Sequence, residues 1–159
     1  MACYAAYDAA DSSAQRKDVF GSLGFASTPE LKLRVMEWCL EGGVKLQDFF
    51  YPMRSVSASG PAGADIAWQF FQDNFERLQA KLDGASPSLM DAVIVCCCKG
   101  KLTTDRADEV DAFFAAHPLP LSSRTIKQTV EDMRLQASFA QNVAAAARAF
   151  FAGAGGKLE

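Results

Sequence analysis

One histidine bounds the chemistry open to this chain. His117 is the sole imidazole among 159 residues. It stands before Pro118 at the end of a helical pattern, where an imidazole caps free carbonyls and meets the negative end of the helix dipole. A zinc site built on His-Glu-x-x-His needs two imidazoles one turn apart, so that site cannot assemble here. The five cysteines are Cys3, Cys39, Cys96, Cys97 and Cys98. Neighbouring residues on a helix point about 100° apart, so three in a row cannot face one ion. No second Cys-x-x-Cys supplies the remaining ligands, and an odd count with three adjacent members is a poor disulfide framework. Reduced, buried thiols of a cytoplasmic protein are the expectation. Cysteine–histidine catalysis needs a thiol beside His117, and the cysteine run falls on a different helix. There is no Gly-x-Ser-x-Gly and no phosphate-cradling loop. Asp108 and Asp111 are expected on a solvated face. No catalytic residue, no metal ligand and no cofactor is therefore expected in this chain.

Composition narrows the partners. The net charge is -3 and the isoelectric point about 5.2. Nucleic acid as main partner calls for a surplus of Lys and Arg, so it is not expected. No run of 18 apolar residues marks a membrane span, and Met1-Ala2-Cys3-Tyr4 does not open a signal peptide. With 50% hydrophobic and 22% charged residues, a chain of this size folds and buries roughly 68–70% of its unfolded surface.

The elements that would position any site are helices. Asp11 and Ser12 offer a cap for a helix to about Leu23, ended by Gly24. Thr28-Pro29-Glu30 starts another, with Leu31, Val35, Trp38 and Cys39 on one face and Gly42-Gly43 as the stop. Leu46 to Val56 carries Pro52 inside it, so its helix is kinked or begins late. Ala62 to Leu82 reads as one long amphipathic helix holding Phe70, Phe71, Phe75 and Leu78. Ser86-Pro87 opens the next, with Met90, Val93, Ile94 and Cys97 inward, to Gly100. Thr103 or Thr104 caps one with Val110, Phe113 and Phe114 inward, broken at Pro118. Ser122 or Ser123 opens the last. Its expected buried stripe is Ile126, Val130, Met133, Ala137, Ala140, Ala144, Ala147 and Phe151, and Gly153-Ala154-Gly155-Gly156 ends it. The fold class is all-α. The helix-turn-helix rhythm points to an α-solenoid of stacked antiparallel pairs, HEAT- or armadillo-like, of about eight helices. One domain is expected over 1–152, with 153–159 a flexible tail and Lys157-Leu158-Glu159 a possible expression scar.

Three stretches carry a resemblance. They are TPELKLRVMEWCLEGGVKLQD (28–48), AWQFFQDNFERL (67–78) and EVDAFFAAHPLPLSSRTIKQTVEDM (109–133). In that order and spacing the chain resembles the C-terminal helical domain of puromycin-sensitive-type zinc aminopeptidases, the group that includes the endoplasmic-reticulum peptide trimmers. The likeness runs from about Asp11 to Phe151. It departs at Leu46, where the family often has proline, and at Phe139, where Trp is usual. Pro52 and the cysteine run are not family hallmarks.

The resemblance implies a fragment of a larger enzyme. The zinc and the Gly-x-Met-Glu-Asn segment that grips the substrate's amino terminus belong to a catalytic domain missing from this chain. The implied partners are the parent's N-terminal and catalytic domains and a peptide substrate; no membrane partner is implied. The implied role is a concave wall that encloses the peptide cavity and contacts distal parts of the substrate. Arg124, Lys127 and Arg134 are the candidate peptide-contact residues, since basic side chains on such a wall can meet a peptide carboxylate. The competing reading is a salt-bridge ladder through Glu131, four residues after Lys127 and three before Arg134. A free-standing helical-repeat adaptor for a protein partner is the alternative function. A domain parted from its neighbours should expose an apolar patch and self-associate, with Tyr4, Tyr7 and Phe20 as the expected patch.

Overall fold

Three helices begin on hydroxyl caps. Ser12 accepts from Gln15 N in a full capping box, Thr28 from Leu31 N, and Thr103 from Arg106 N. Each satisfies one of the orphan donors at a helix start. Pro29, Pro61 and Pro87 occupy first-turn positions where the missing N–H costs nothing. In the computed structural model, residues 2–154 are described. They form α1 (Ala2–Asp8), α2 (Ser13–Leu23), α3 (Pro29–Glu41), α4 (Phe50–Ser57), α5 (Pro61–Asp73), α6 (Phe75–Leu82), α7 (Pro87–Cys98), α8 (Thr104–Ala116) and α9 (Ser123–Ala154). Short 3-10 turns at Leu46–Asp48 and Pro120–Ser122 lead into α4 and α9. The described residues contain no strand, so the chain is all-helical as its periodicity predicts. The expected tail beyond Ala154 lies outside the described residues.

The helices lie in two layers. α2, α4, α7 and α9 pack in succession on one side, and α3 packs on α5 on the other. α1 joins the second layer through Tyr4, stacked on Trp38 of α3 at 4.5 Å, and α8 joins it through Phe113, edge-on to Trp68 of α5 at 5.4 Å. Each layer meets the other through the pairs α1·α2, α3·α4, α5·α7 and α8·α9. This neighbour-to-neighbour order is the one that stacked helix pairs require. The core runs between the layers: Phe20, Met36, Phe49, Met53, Trp68, Phe71, Leu78, Ile94, Val110 and Met133 are almost wholly buried.

Five expectations need correction. Ala62–Leu82 is two helices, because the backbone turns at Asn74 (φ -114, ψ 20). There the Asn74 amide donates to the Phe70 carbonyl at 3.1 Å, closing α5 with its own side chain. An additional helix, α1, precedes the first expected one. Ser86 makes no side-chain cap and bonds Ser88 instead. Tyr7 and Phe20 are core residues rather than a patch, and Tyr4 is half-covered by Trp38. The buried stripe of α9 stops at Ala137; Ala140, Ala144, Ala147 and Phe151 are exposed, since no element among the described residues packs over them. Pro52 behaves as expected: it sits in the first turn of α4, which begins late after the 3-10 turn.

Candidate functional site

The three predicted contact residues lie on α9, which Pro118 and Pro120 detach from α8 and turn back along it. Between α8 and α9 runs a groove of about 490 Å³, floored by Phe114, Ile126 and Val130 and walled by Leu119 and Pro120. Lys127 and Arg134 line it together. Arg124, one helical turn earlier, is exposed and does not line it.

Arg134 is already engaged. Its guanidinium donates to Asp108 at 2.8 Å and to Asp111 at 2.9 Å, both on α8. Those bonds, Asp108 first, hold its pKa above the ordinary arginine value. The ladder through Glu131 does not form: among the described residues Glu131 pairs with neither Lys127 nor Arg134. Arg134 thus pins α9 to α8. Lys127 is the one lining cation in this groove without a carboxylate partner in the described structure. The Asp108–Asp111 spacing, one turn on one face, is visible in the sequence, but its partner 23 residues away is not.

His117 is a helix cap. Its Nδ1 lies 3.0 Å from the Phe113 carbonyl, and the ring stacks on Phe113 at 4.4 Å with Phe75 edge-on at 5.4 Å. The thiols face inward. Burial pushes Cys39 and Cys98 up, and burial with its two neighbouring thiols pushes Cys97 far up. Cys96 is raised by burial to about 11, against an opposing pull from Arg54. Protonated thiols are neither nucleophiles nor good metal ligands at neutral pH. The four described cysteines are free, and no group of three or more His, Cys, Asp or Glu among the described residues could hold a metal ion. The residues present do not fit a zinc site. Among the described residues no helix is long and apolar enough to cross a membrane.

A second charged cluster escaped sequence reading. Arg106 on α8, its side chain 8% exposed, donates to Asp65 on α5 at 2.5 Å and to Glu109 at 3.0 Å. Trp68 Nε1 donates to Glu109 at 2.7 Å, and Lys101 Nζ donates to Asp65 at 3.2 Å. Burial raises the Asp65 pKa, but the hydrogen bonds from Lys101 and Arg106 together outweigh it and hold the carboxyl below its ordinary value. The guanidinium also lies over Trp68, 5.8 Å from the ring centre. This network joins α5 to α8. Only the Arg106–Glu109 spacing of three was legible.

Comparison with known proteins agrees with this geometry. The ERAP1-like C-terminal domain family matches residues 1–135. Aminopeptidase M1 of Arabidopsis thaliana is 26% identical over 137 residues, 86% of this chain and 15% of the relative. Aminopeptidase M1-A of Oryza sativa subsp. japonica is 24% identical over 141 residues, 89% of this chain and 15% of the relative. Endoplasmic reticulum aminopeptidase 1 of Rattus norvegicus is 25% identical over 130 residues, 80% of this chain and 14% of the relative. The chain therefore spans about 15% of the length of the aminopeptidases it matches. With a match over most of its length and an all-helical architecture, the chain belongs to the family of ERAP1-like C-terminal domains.

Proposed function

We propose that this chain is the C-terminal helical domain of a zinc metallo-aminopeptidase, a helical-repeat solenoid that encloses the peptide cavity and does no hydrolysis itself. The family match over residues 1–135 carries the reading. The metal belongs to the parent's catalytic domain, which with the N-terminal domain is the natural partner of this one. The packing order of α1 through α9 suits a single repeat domain running to about residue 152. Its free, buried thiols suit a reducing compartment, the cytoplasm.

Within that role the α8/α9 groove receives the distal part of a peptide substrate. An apolar floor takes a side chain, and Lys127 at the rim takes the terminal carboxylate as a charge-assisted contact. Arg134 holds the groove's walls together, and Arg124 extends the basic rim beyond it. Calorimetry with matched peptides tests this. Binding of peptides with a free C-terminus, weakened about tenfold by amidation and to the same extent by Lys127→Ala, is the expected result. Equal binding of free and amidated peptides rules the contact out.

A further inference from the structure

We propose that the projecting half of α9 pairs with the same segment of a second copy of this chain, forming an antiparallel two-fold dimer. α9 packs on the body through Val130, Met133 and Ala137, and every residue from Ser138 to Ala152 is exposed. About four turns of helix thus stand clear of the fold, and isolated helices of that length are marginal in water.

The projecting segment carries an apolar stripe of its own. At 100° per residue, Leu135, Phe139, Val143, Ala146 and Phe150 fall within an arc of about 80°. That arc lies about 150° from the face α9 turns to the body, so the body does not obstruct a helix laid along it. The large side chains of the segment are 50% to 71% exposed. With about 200 Å² for a whole phenyl side chain and about two-thirds of it open, the stripe's two phenyls with Leu135 and Val143 offer roughly 500 Å² per copy and roughly 1,000 Å² in a pair, about the least a specific interface needs. Arg148 is the only charged residue from Leu135 to Ala152 and lies opposite the stripe, so two copies meet without like-charge repulsion.

The stripe is self-complementary when the chains run antiparallel. A two-fold axis at Val143 sets Phe139 of one copy over Ala146 and Ala147 of the other. It sets Leu135 beside Phe150, and Val143 against its own counterpart. At each Phe139 a large side chain then meets small ones, the alanines there allow helices to approach to about 8–10 Å, and the helix dipoles oppose. Contacts between the same patch on both copies close the assembly at two. The inference stands apart from the peptide contact proposed above.

Sedimentation equilibrium of the complete chain, from about 1 to 100 μM, tests it. The expected result is a reversible monomer–dimer equilibrium between the 17.2 kDa chain and a species of twice that mass. The double variant Phe139→Ala/Phe150→Ala, which raises helix propensity, should weaken it at least about tenfold. Phe25→Ala, altering a residue 83% exposed on another part of the surface, should leave it unchanged. Mild oxidation should cross-link Val143→Cys to itself, and Phe139→Cys to Ala147→Cys but not to itself. A single monomeric species throughout overturns the proposal. So does a dimer indifferent to the double alanine variant, or Phe139→Cys cross-linking to itself as readily as Val143→Cys.

Discussion

Replacing Arg106 with alanine should cost about 2 kcal/mol of stability, the lost bonds and stem being partly offset by removal of the buried, unpartnered Nη1. The guanidinium is almost wholly covered, whereas Asp65 and Glu109, its acceptors, keep 47% of their side chains in water. A hydrogen bond to a charged group contributes about 1.5–3 kcal/mol when buried, and an exposed ion pair about 0–1. With half-solvated acceptors, about 1 kcal/mol for each of the two bonds is reasonable. Loss of the buried aliphatic stem adds about 1 kcal/mol. Arg106→Met separates these contributions. It keeps the stem and removes the buried Nη1, which has no hydrogen-bond partner and so costs about 1–2 kcal/mol as it stands. Arg106→Met should therefore lose only about 1 kcal/mol. Urea unfolding followed by helical circular dichroism measures both, with an unchanged slope. The wild-type advantage should also depend on pH. Asp65 is held below its ordinary pKa, burial opposing and the hydrogen bonds from Lys101 and Arg106 prevailing. Its contribution is complete above the unfolded value and disappears as pH falls through the folded one. The gap between wild type and Arg106→Ala should thus narrow in acid. Arg106→Ala within about 0.5 kcal/mol of wild type refutes the reasoning, as does Arg106→Met proving as costly as Arg106→Ala.

Three further outcomes follow from packing and thiol chemistry. Phe71 is fully buried against Trp68, Phe75, Phe113 and Phe114, so Phe71→Ala should lose about 3–5 kcal/mol in denaturant titration. A Cβ on Gly63 would sit 2.2 Å from the Val56 carbonyl oxygen; Gly63→Ala should force α4 and α5 apart and lower stability by at least about 1–3 kcal/mol. Cys96, raised to about 11, should react with iodoacetamide slowly at neutral pH, its rate rising about tenfold per pH unit until it levels near that value; a rate already level at pH 8 contradicts its burial.

Hydroxyl caps and first-turn prolines made most helix boundaries legible in the sequence. Thr28-Pro29 and Thr103 are local signals, and each acts within its own turn. The break at Asn74 was hidden because apolar periodicity continues through it: Phe70, Phe71, Phe75 and Leu78 are all buried on either side. The exposed end of α9 was hidden for the converse reason. Its stripe of Ala140, Ala144 and Ala147 continues the buried pattern, and only tertiary context reveals that nothing lies opposite. For the candidate groove, helix periodicity put Lys127 and Arg134 on one side of α9, but Arg134's partners Asp108 and Asp111 come from another helix. The Arg106 network is likewise non-local, joining residues 41 positions apart.

The central claim is that this chain shapes a substrate space and performs no hydrolysis. The most direct measurement is turnover of aminoacyl fluorogenic substrates by the purified chain supplied with zinc. The account predicts no turnover above the metal-only background, because His117 is the sole imidazole and is held as a helix cap. Saturable turnover accompanied by stoichiometric zinc binding would contradict it.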